Sequence, residues 1–310
     1  MIQSSYQNRI GFSIIEIVVV IAIIGVLVGI LVPSIFSIKT KAKKTRELNV
    51  LKQIMTGWAT YSSDHQNKLL PGYLEVSYQE HYELAWAFPD ETLIPPAPSY
   101  DSDYLNVVGP WPWRLLPYLD ENWRSLLFYK ELDWEPFGER VNAHAYEITQ
   151  TPAFGYNGMY LGGWKLYNEN EGRVKTLFSN AKLTDDTRMN VVTSSLAQVN
   201  FPTATIAFAS TFLSEERAYT EFPDNINGAN MAIPSVLGNS KRWTVLPDGK
   251  INSFAETFVP LGRYNGMPAI GFADGHVENI ETHTLLNQKM WIPKAREVNG
   301  IPAEKFTHSP

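Results

Sequence analysis

The sequence predicts an α+β protein: a long N-terminal α-helix, transmembrane in its first half and extended beyond it, packed on a β-rich C-terminal globular head. Three observations carry that prediction. No charged residue occurs over positions 17–38, a run that at ~1.5 Å per helical residue crosses the ~30 Å hydrocarbon core of a bilayer. Beyond it, Leu48, Leu51, Met55 and Trp58 recur at spacings of three and four, which is one apolar helical stripe that needs a surface to cover it. Past residue 64 the pattern changes to short β-type runs punctuated by Gly, Pro and Asp, as in a strand-rich head.

Taken in order, residues 1–11 precede the helix, residues 12–38 are its transmembrane half, residues 39–64 its extended half, and residues 65–310 the head. Glu16 stands near the start of the apolar run. A carboxylate there is expensive, about 2.5–3.5 kcal/mol if near a helix centre, and is kept where it finds a partner. Directly after the run, Lys39-Thr40-Lys41-Ala42-Lys43-Lys44-Thr45-Arg46 places five positive charges within eight residues. The helix should end near Ser62-Ser63-Asp64, ahead of the turn-forming Pro71-Gly72, giving one helix ~75 Å long.

In the head, Pro95-Pro96-Ala97-Pro98 reads as an extended loop, since proline excludes helix there. Residues 111–119 read as a short helix bounded by prolines, and residues 123–132 as another. Residues 154–163, rich in Gly and aromatics, read as a tight-turned extended segment. Residues 203–209 and 269–273 are β-type runs. Asp274-Gly275 has the composition of a two-residue hairpin turn, with 276–280 as the return strand.

The segment Gly11-Phe12-Ser13-Ile14-Ile15-Glu16 and the apolar run after it resemble the class III leader and N-terminal segment of type IV prepilins and type II secretion pseudopilins. The resemblance implies that a membrane-embedded prepilin peptidase cuts between Gly11 and Phe12 and then N-methylates Phe12. It implies that Glu16 pairs with the Phe12 amine of a neighbouring pilin-like subunit during assembly. Gly25 and Pro33 stand where family members often have a glycine and a helix-disturbing proline, and so imply local flexibility. Residues 1–11 become the leader and 39–64 extracytoplasmic. The chain would cross the bacterial inner membrane once, with its head in the periplasm or at the cell surface. The leader departs from the family pattern in having Arg9 as its only basic residue.

A plain signal anchor or a secretory signal peptide is the competing reading. A secretory signal has a basic n-region, a 7–15-residue apolar stretch and a small-residue cleavage site. This run is longer, and no A-x-A pattern closes it. A plain anchor gives no reason for Glu16 or for the Gly11-Phe12 junction. Charge argues the other way: by the positive-inside rule the lysine-rich side faces the cytoplasm, whereas the leader needs that side outside so that its junction meets the peptidase.

A formal charge of −6 and a pI near 5.6 give no general attraction to nucleic acid or anionic lipid. The basic run reads as a solvated helix face or a lipid-headgroup contact. With no cysteine, disulfides, Cys-ligated zinc and thiol catalysis are excluded. The head must be held by its core, for which 9 Trp, 15 Tyr and 15 Phe supply material.

Near the C-terminus nine residues separate Tyr264 from Asp274-Gly275, and Asn200-Phe201-Pro202-Thr203 precedes a β-type run. Large-headed bacterial pilin-like proteins often end in a processing-associated motif of a His, nine residues and Asp-Gly before a strand. The chain resembles that group, whose head is a domain of unknown function (DUF1559-like). Here Tyr264 replaces the His, so a role needing an imidazole does not carry over. Asp274, His276 and Glu278 would share one strand face, as a small oxygen-and-nitrogen metal site needs, yet the hairpin turn accounts for Asp274 without a metal. Asp101-x-Asp103 and Asp224-Asn225-Ile226-Asn227-Gly228 are loop acids without EF-hand spacing. No cofactor is expected; some major pseudopilins bind calcium in a C-terminal loop, which keeps calcium open.

The six histidines (65, 81, 144, 276, 283 and 308) are scattered, and neither an H-E-x-x-H nor a G-x-S-x-G occurs, so no enzyme is predicted. The resemblance implies a pilin- or pseudopilin-like structural subunit whose partners are prepilin peptidase, other pilin-like subunits and the inner membrane, and not nucleic acid. A head well above the ~100-residue domain size suggests a specialised subunit. The alternative is a membrane-anchored exported binding protein for polysaccharide or another surface polymer, its aromatic residues forming the binding face. An anchored hydrolase ranks third.

Overall fold

A computed structural model of the chain describes residues 13–84, 86–87, 93–94, 111–119, 152–177, 180–182, 188–213, 228–234, 236–237, 240–241, 243–247, 251–253, 257–260, 262–263 and 267–294. The expected loop at 95–98 and helix at 123–132 lie outside the described residues. Helix α1 (Ile14–Asp64) is continuous, and the chain divides into two units, Met1–Arg46 and Glu47–Pro310. In the first unit every large apolar side chain of α1 is between 41 % and 81 % exposed, from Ile14 to Ile38. A helix apolar on all sides, on which none of the described residues packs over positions 14–38, suits a lipid-facing span.

In the second unit the end of α1 packs as the stripe predicted. Leu51, Met55 and Trp58 are fully buried and Leu48 lies half-buried against them. Val50 and Ile54 are buried as well, so the stripe is wider than the 48–51–55–58 pattern alone. After α1 come β1 (Tyr73–Leu74), α2 (Val76–His81) and α3 (Trp111–Leu115), the last continuing as a 3₁₀ turn over Leu116–Tyr118. Pro112 and Pro117 sit in first turns, where a missing N–H removes no helical bond.

The strands that position the site are β2 (Phe154–Tyr156), β3 (Trp164–Asn168), β4 (Arg173–Leu177), β5 (Ile206–Leu213), β6 (Thr257–Pro260), β7 (Ala269–Phe272) and β8 (Val277–Asn279). β5 is the hub: it pairs antiparallel with β2, β6 and β7, and β7 pairs in turn with β8. β1 runs parallel to β3, which pairs antiparallel with β4. Along β7 the side chains alternate. Ala269 joins a cluster with Leu51, Met55, Phe154 and Phe208 from α1 and the strands, while Ile270 and Phe272 join Trp243 and Trp291. Gly271 belongs under the helix: a Cβ there would lie 2.6 Å from Met55 Sδ, so the close approach of α1 requires glycine.

Two boundaries differ from expectation. The run at 203–209 opens with a 3₁₀ turn (Pro202–Ala204), and its strand starts only at Ile206. Pro202 has no N–H for a ladder, and Thr205 Oγ1 donates to Phe201 O at 2.9 Å, closing the turn. The segment at 154–163 is extended only over β2. Asn157 then turns the chain: its O accepts from Leu161 N, and its Nδ2 donates to Ile206 O and Trp291 O.

Candidate functional site

The first described residues form a reciprocal pair. Ser13 N–H donates to Glu16 Oε2 at 2.7 Å, and Glu16 N–H donates to Ser13 Oγ at 3.2 Å. This is a capping box, in which an N-cap Ser and the Glu three residues on satisfy each other's backbone donors. Glu16 therefore has a partner within its own chain, a contact announced by the Ser-x-x-Glu spacing and missed when only the intermolecular pairing was considered. A carboxylate has about four acceptor sites, so the cap leaves capacity for a cation. Gly11 and Phe12 lie outside the described residues. α1 passes without interruption through Gly25, whose absent Cβ would meet nothing within 4 Å, and through Pro33. Pro33 has no N–H to give the Gly29 carbonyl, and one residue on Ser34 Oγ donates to Ile30 O at 2.9 Å.

At the other end, β7 and β8 form a hairpin in register Ala269↔Asn279, Ile270↔Glu278, Gly271↔Val277. Phe272 O accepts from Gly275 N at 2.8 Å, and Phe272 N donates to His276 O at 3.0 Å. The turn is thus centred on Ala273 and Asp274, with Gly275 at φ +90° as the left-handed residue that follows. This corrects the two-residue Asp274-Gly275 turn. That turn would need positive φ at both residues, and of the pair only Gly275 has it.

His276 also precedes the return strand rather than starting it, so Asp274, His276 and Glu278 do not alternate along one strand. Asp274 Oδ1 accepts from His276 N at 3.1 Å and from its Nδ1 at 2.5 Å, while the imidazole lies flat on Phe272 with centroids 4.3 Å apart. Burial pushes the Asp274 carboxyl up, but the bonds from His276 outweigh it and hold the pKa below the ordinary 3.8. Glu278 Oε1 is 3.9 Å from His276 Nε2. Among the described residues no three His, Cys, Asp or Glu side chains group as a metal holder. Tyr264, Asp101, Asp103 and positions 224–227 lie outside those residues.

Side chains of α1 that the sequence reading passed over tie the helix to this sheet. Lys52 Nζ donates to Gly275 O at 2.7 Å, holding the hairpin turn. Glu47, with no exposed side-chain surface, pairs through Oε1 with Arg263 Nη1 at 2.8 Å. Arg263 Nη2 also donates to Ala153 O (2.7 Å) and Thr211 O (3.0 Å), and the guanidinium lies 5.8 Å from the Phe154 ring centroid. The signal for Glu47 was available: positions 47, 51, 54 and 58 continue one helical stripe, and a charge on that stripe demands a partner.

Most of the indole rings in the described core are buried, Trp58, Trp111, Trp243 and Trp291 among them. A separate aromatic set lies at the surface. His81 stacks on Tyr167 with centroids 3.4 Å apart, Tyr78 and Tyr82 meet at 4.8 Å, and Tyr82 is 48 % exposed.

Residues 6–32 match the prokaryotic N-terminal methylation motif. No curated protein and no solved structure matches the chain. The chain carries a prepilin-type N-terminal segment. Among the described residues α1 is the helix long and apolar enough to cross a membrane, and together the two features mark a single-pass membrane anchor. Such a segment points to a structural subunit rather than an enzyme.

Proposed function

We propose that this protein is a pilin- or pseudopilin-like structural subunit of a type IV pilus or type II secretion-type filament. The observation that carries the reading is the methylation motif at residues 6–32 overlapping the start of a helix whose large apolar side chains from Ile14 to Ile38 are all exposed. In a bilayer those side chains face lipid; in a filament they face the same helix of other subunits, so assembly exchanges one apolar environment for another. Prepilin peptidase cleaves between Gly11 and Phe12 and methylates the new amine. Glu16, its rotamer held by the Ser13 cap, accepts the Phe12 amine of a neighbour, because an intramembrane carboxylate is stabilised by a cation where water is scarce. The head lies outside the inner membrane, belongs to the large-headed DUF1559-like group, and contributes surface rather than catalysis.

Mass spectrometry of the mature chain tests this. The expected result in cells with an active prepilin peptidase is a chain beginning at N-methylated Phe12. A chain beginning at Met1 in those cells overturns it and leaves a plain anchor. The aromatic set of exposed His81 and Tyr82 with half-buried Tyr78 and Tyr167 supports a second reading, an anchored polysaccharide-binding protein, since flat rings stack on sugars. Retention of the protein on immobilised glycans, lost in Tyr82→Ala, is the result that reading requires.

A further inference from the structure

We propose that Lys39, Lys41, Lys43, Lys44 and Arg46 form a collar that binds anionic phospholipid headgroups on the side of the bilayer where α1 emerges. All five lie on continuous α1, within the unit Met1–Arg46, and directly follow the uncharged run at 17–38. That run matches the ~30 Å hydrocarbon core, so Lys39 falls at the headgroup level. Lys39, Lys41, Lys43 and Arg46 are exposed and Lys44 is half-buried.

The angular distribution points to lipid as the occupant. At ~100° per residue the five positions fall at about 0°, 200°, 40°, 140° and 340° around the axis. A protein partner docking on one side would be met by a stripe, whereas a headgroup layer surrounds the helix and meets cations at every angle. The five span ~10 Å along the axis, within reach of lysine side chains that snorkel toward phosphates. The remainder of the chain makes the collar distinctive. Residues 47–310 carry 20 Lys and Arg against 31 Asp and Glu, so the head is repelled by an anionic surface while the collar is drawn to it. The collar would set the depth of the helix and hold the subunit in the bilayer. The inference rests on α1 crossing a membrane, and not on cleavage at Gly11.

The experiment uses the full chain reconstituted in vesicles of phosphatidylcholine alone, or with about a third phosphatidylglycerol. Lysines are acylated with a membrane-impermeant reagent and quantified by mass spectrometry, with exposed Lys68 and Lys289 as references. The expected result is about fivefold slower acylation of Lys39, Lys41, Lys43 and Lys44 in the anionic vesicles. At ~1 M salt, where the screening length is ~3 Å, the difference should disappear. Equal collar rates in the two vesicle types overturn the proposal. So does protection that appears in phosphatidylcholine and rises with the protein-to-lipid ratio, which would assign the collar to the acidic head of another copy. The N-terminal mass measurement is independent of either outcome.

Discussion

The buried pair Glu47–Arg263 invites the sharpest test of how α1 is held by the head. Glu47→Ala leaves the guanidinium, only 17 % exposed, facing Phe154 without its carboxylate. Breaking a buried pair from one side costs about 3–5 kcal/mol. Arg263 would keep the Ala153 and Thr211 carbonyls as acceptors, so the expected loss is at the lower end, about 3 kcal/mol. Replacing both residues by Met removes both desolvated charges and should bring the chain back to within about 1 kcal/mol of wild type. Urea unfolding of the full chain in detergent micelles, followed by tryptophan fluorescence, reads the effect. With a slope of about 3 kcal/mol per molar, the Glu47→Ala midpoint should fall by about 1 M. Either of two results refutes the argument: a Glu47→Ala loss below about 1 kcal/mol, or a double Met variant that loses the sum of the two single changes, since independent sites add and coupled ones do not.

Three further outcomes are expected. Glu16→Gln should lower cross-linking to neighbouring pilin-like subunits sharply at equal membrane levels, whereas Ser13→Ala, which removes only the capping hydroxyl at about 1 kcal/mol, should retain most of it; equal losses in both would assign Glu16 to capping alone. Gly271→Ala should destabilise the head by about 1–3 kcal/mol, because its Cβ meets Met55, and a thermal midpoint equal to wild type would show that Met55 moves aside freely. Asp274 has a depressed pKa, so its ionised form stabilises the folded state above pH 3.8 and that contribution is lost as pH falls through the lower folded value. The stability margin of wild type over Asp274→Asn, measured by unfolding from about pH 6 to about pH 3, should therefore shrink on acidification, and a growing margin would reverse the assignment.

The first 64 residues were legible because their information is local. An uncharged run and apolar residues three and four apart dictate a continuous helix with one lipid-facing part and one packed part, whereas the Ser13–Glu16 cap was seen only in the structure. The prepilin-type motif lies in the same stretch and was read from the same side chains. In the head, locally encoded pieces such as the helix at Trp111–Leu115 and the strand at Ala269–Phe272 were also visible. Turn chemistry was less so: Asp274-Gly275 announced a hairpin, but its geometry followed from where β7 and β8 pair, which put Ala273 and Asp274 at the centre and Gly275 after them. Pairings across long separations left no periodic trace. β5 joins strands from both sides of the sequence, and Glu47 finds Arg263 at a separation of 216 residues. The sequence alone determined the anchor, the motif and the buried stripe, because neighbouring residues specify helix and burial pattern. Tertiary structure decided which charges are buried in pairs, which turn closes the hairpin and which aromatic rings stay at the surface, because those depend on partners brought together only when the sheet packs against the helix.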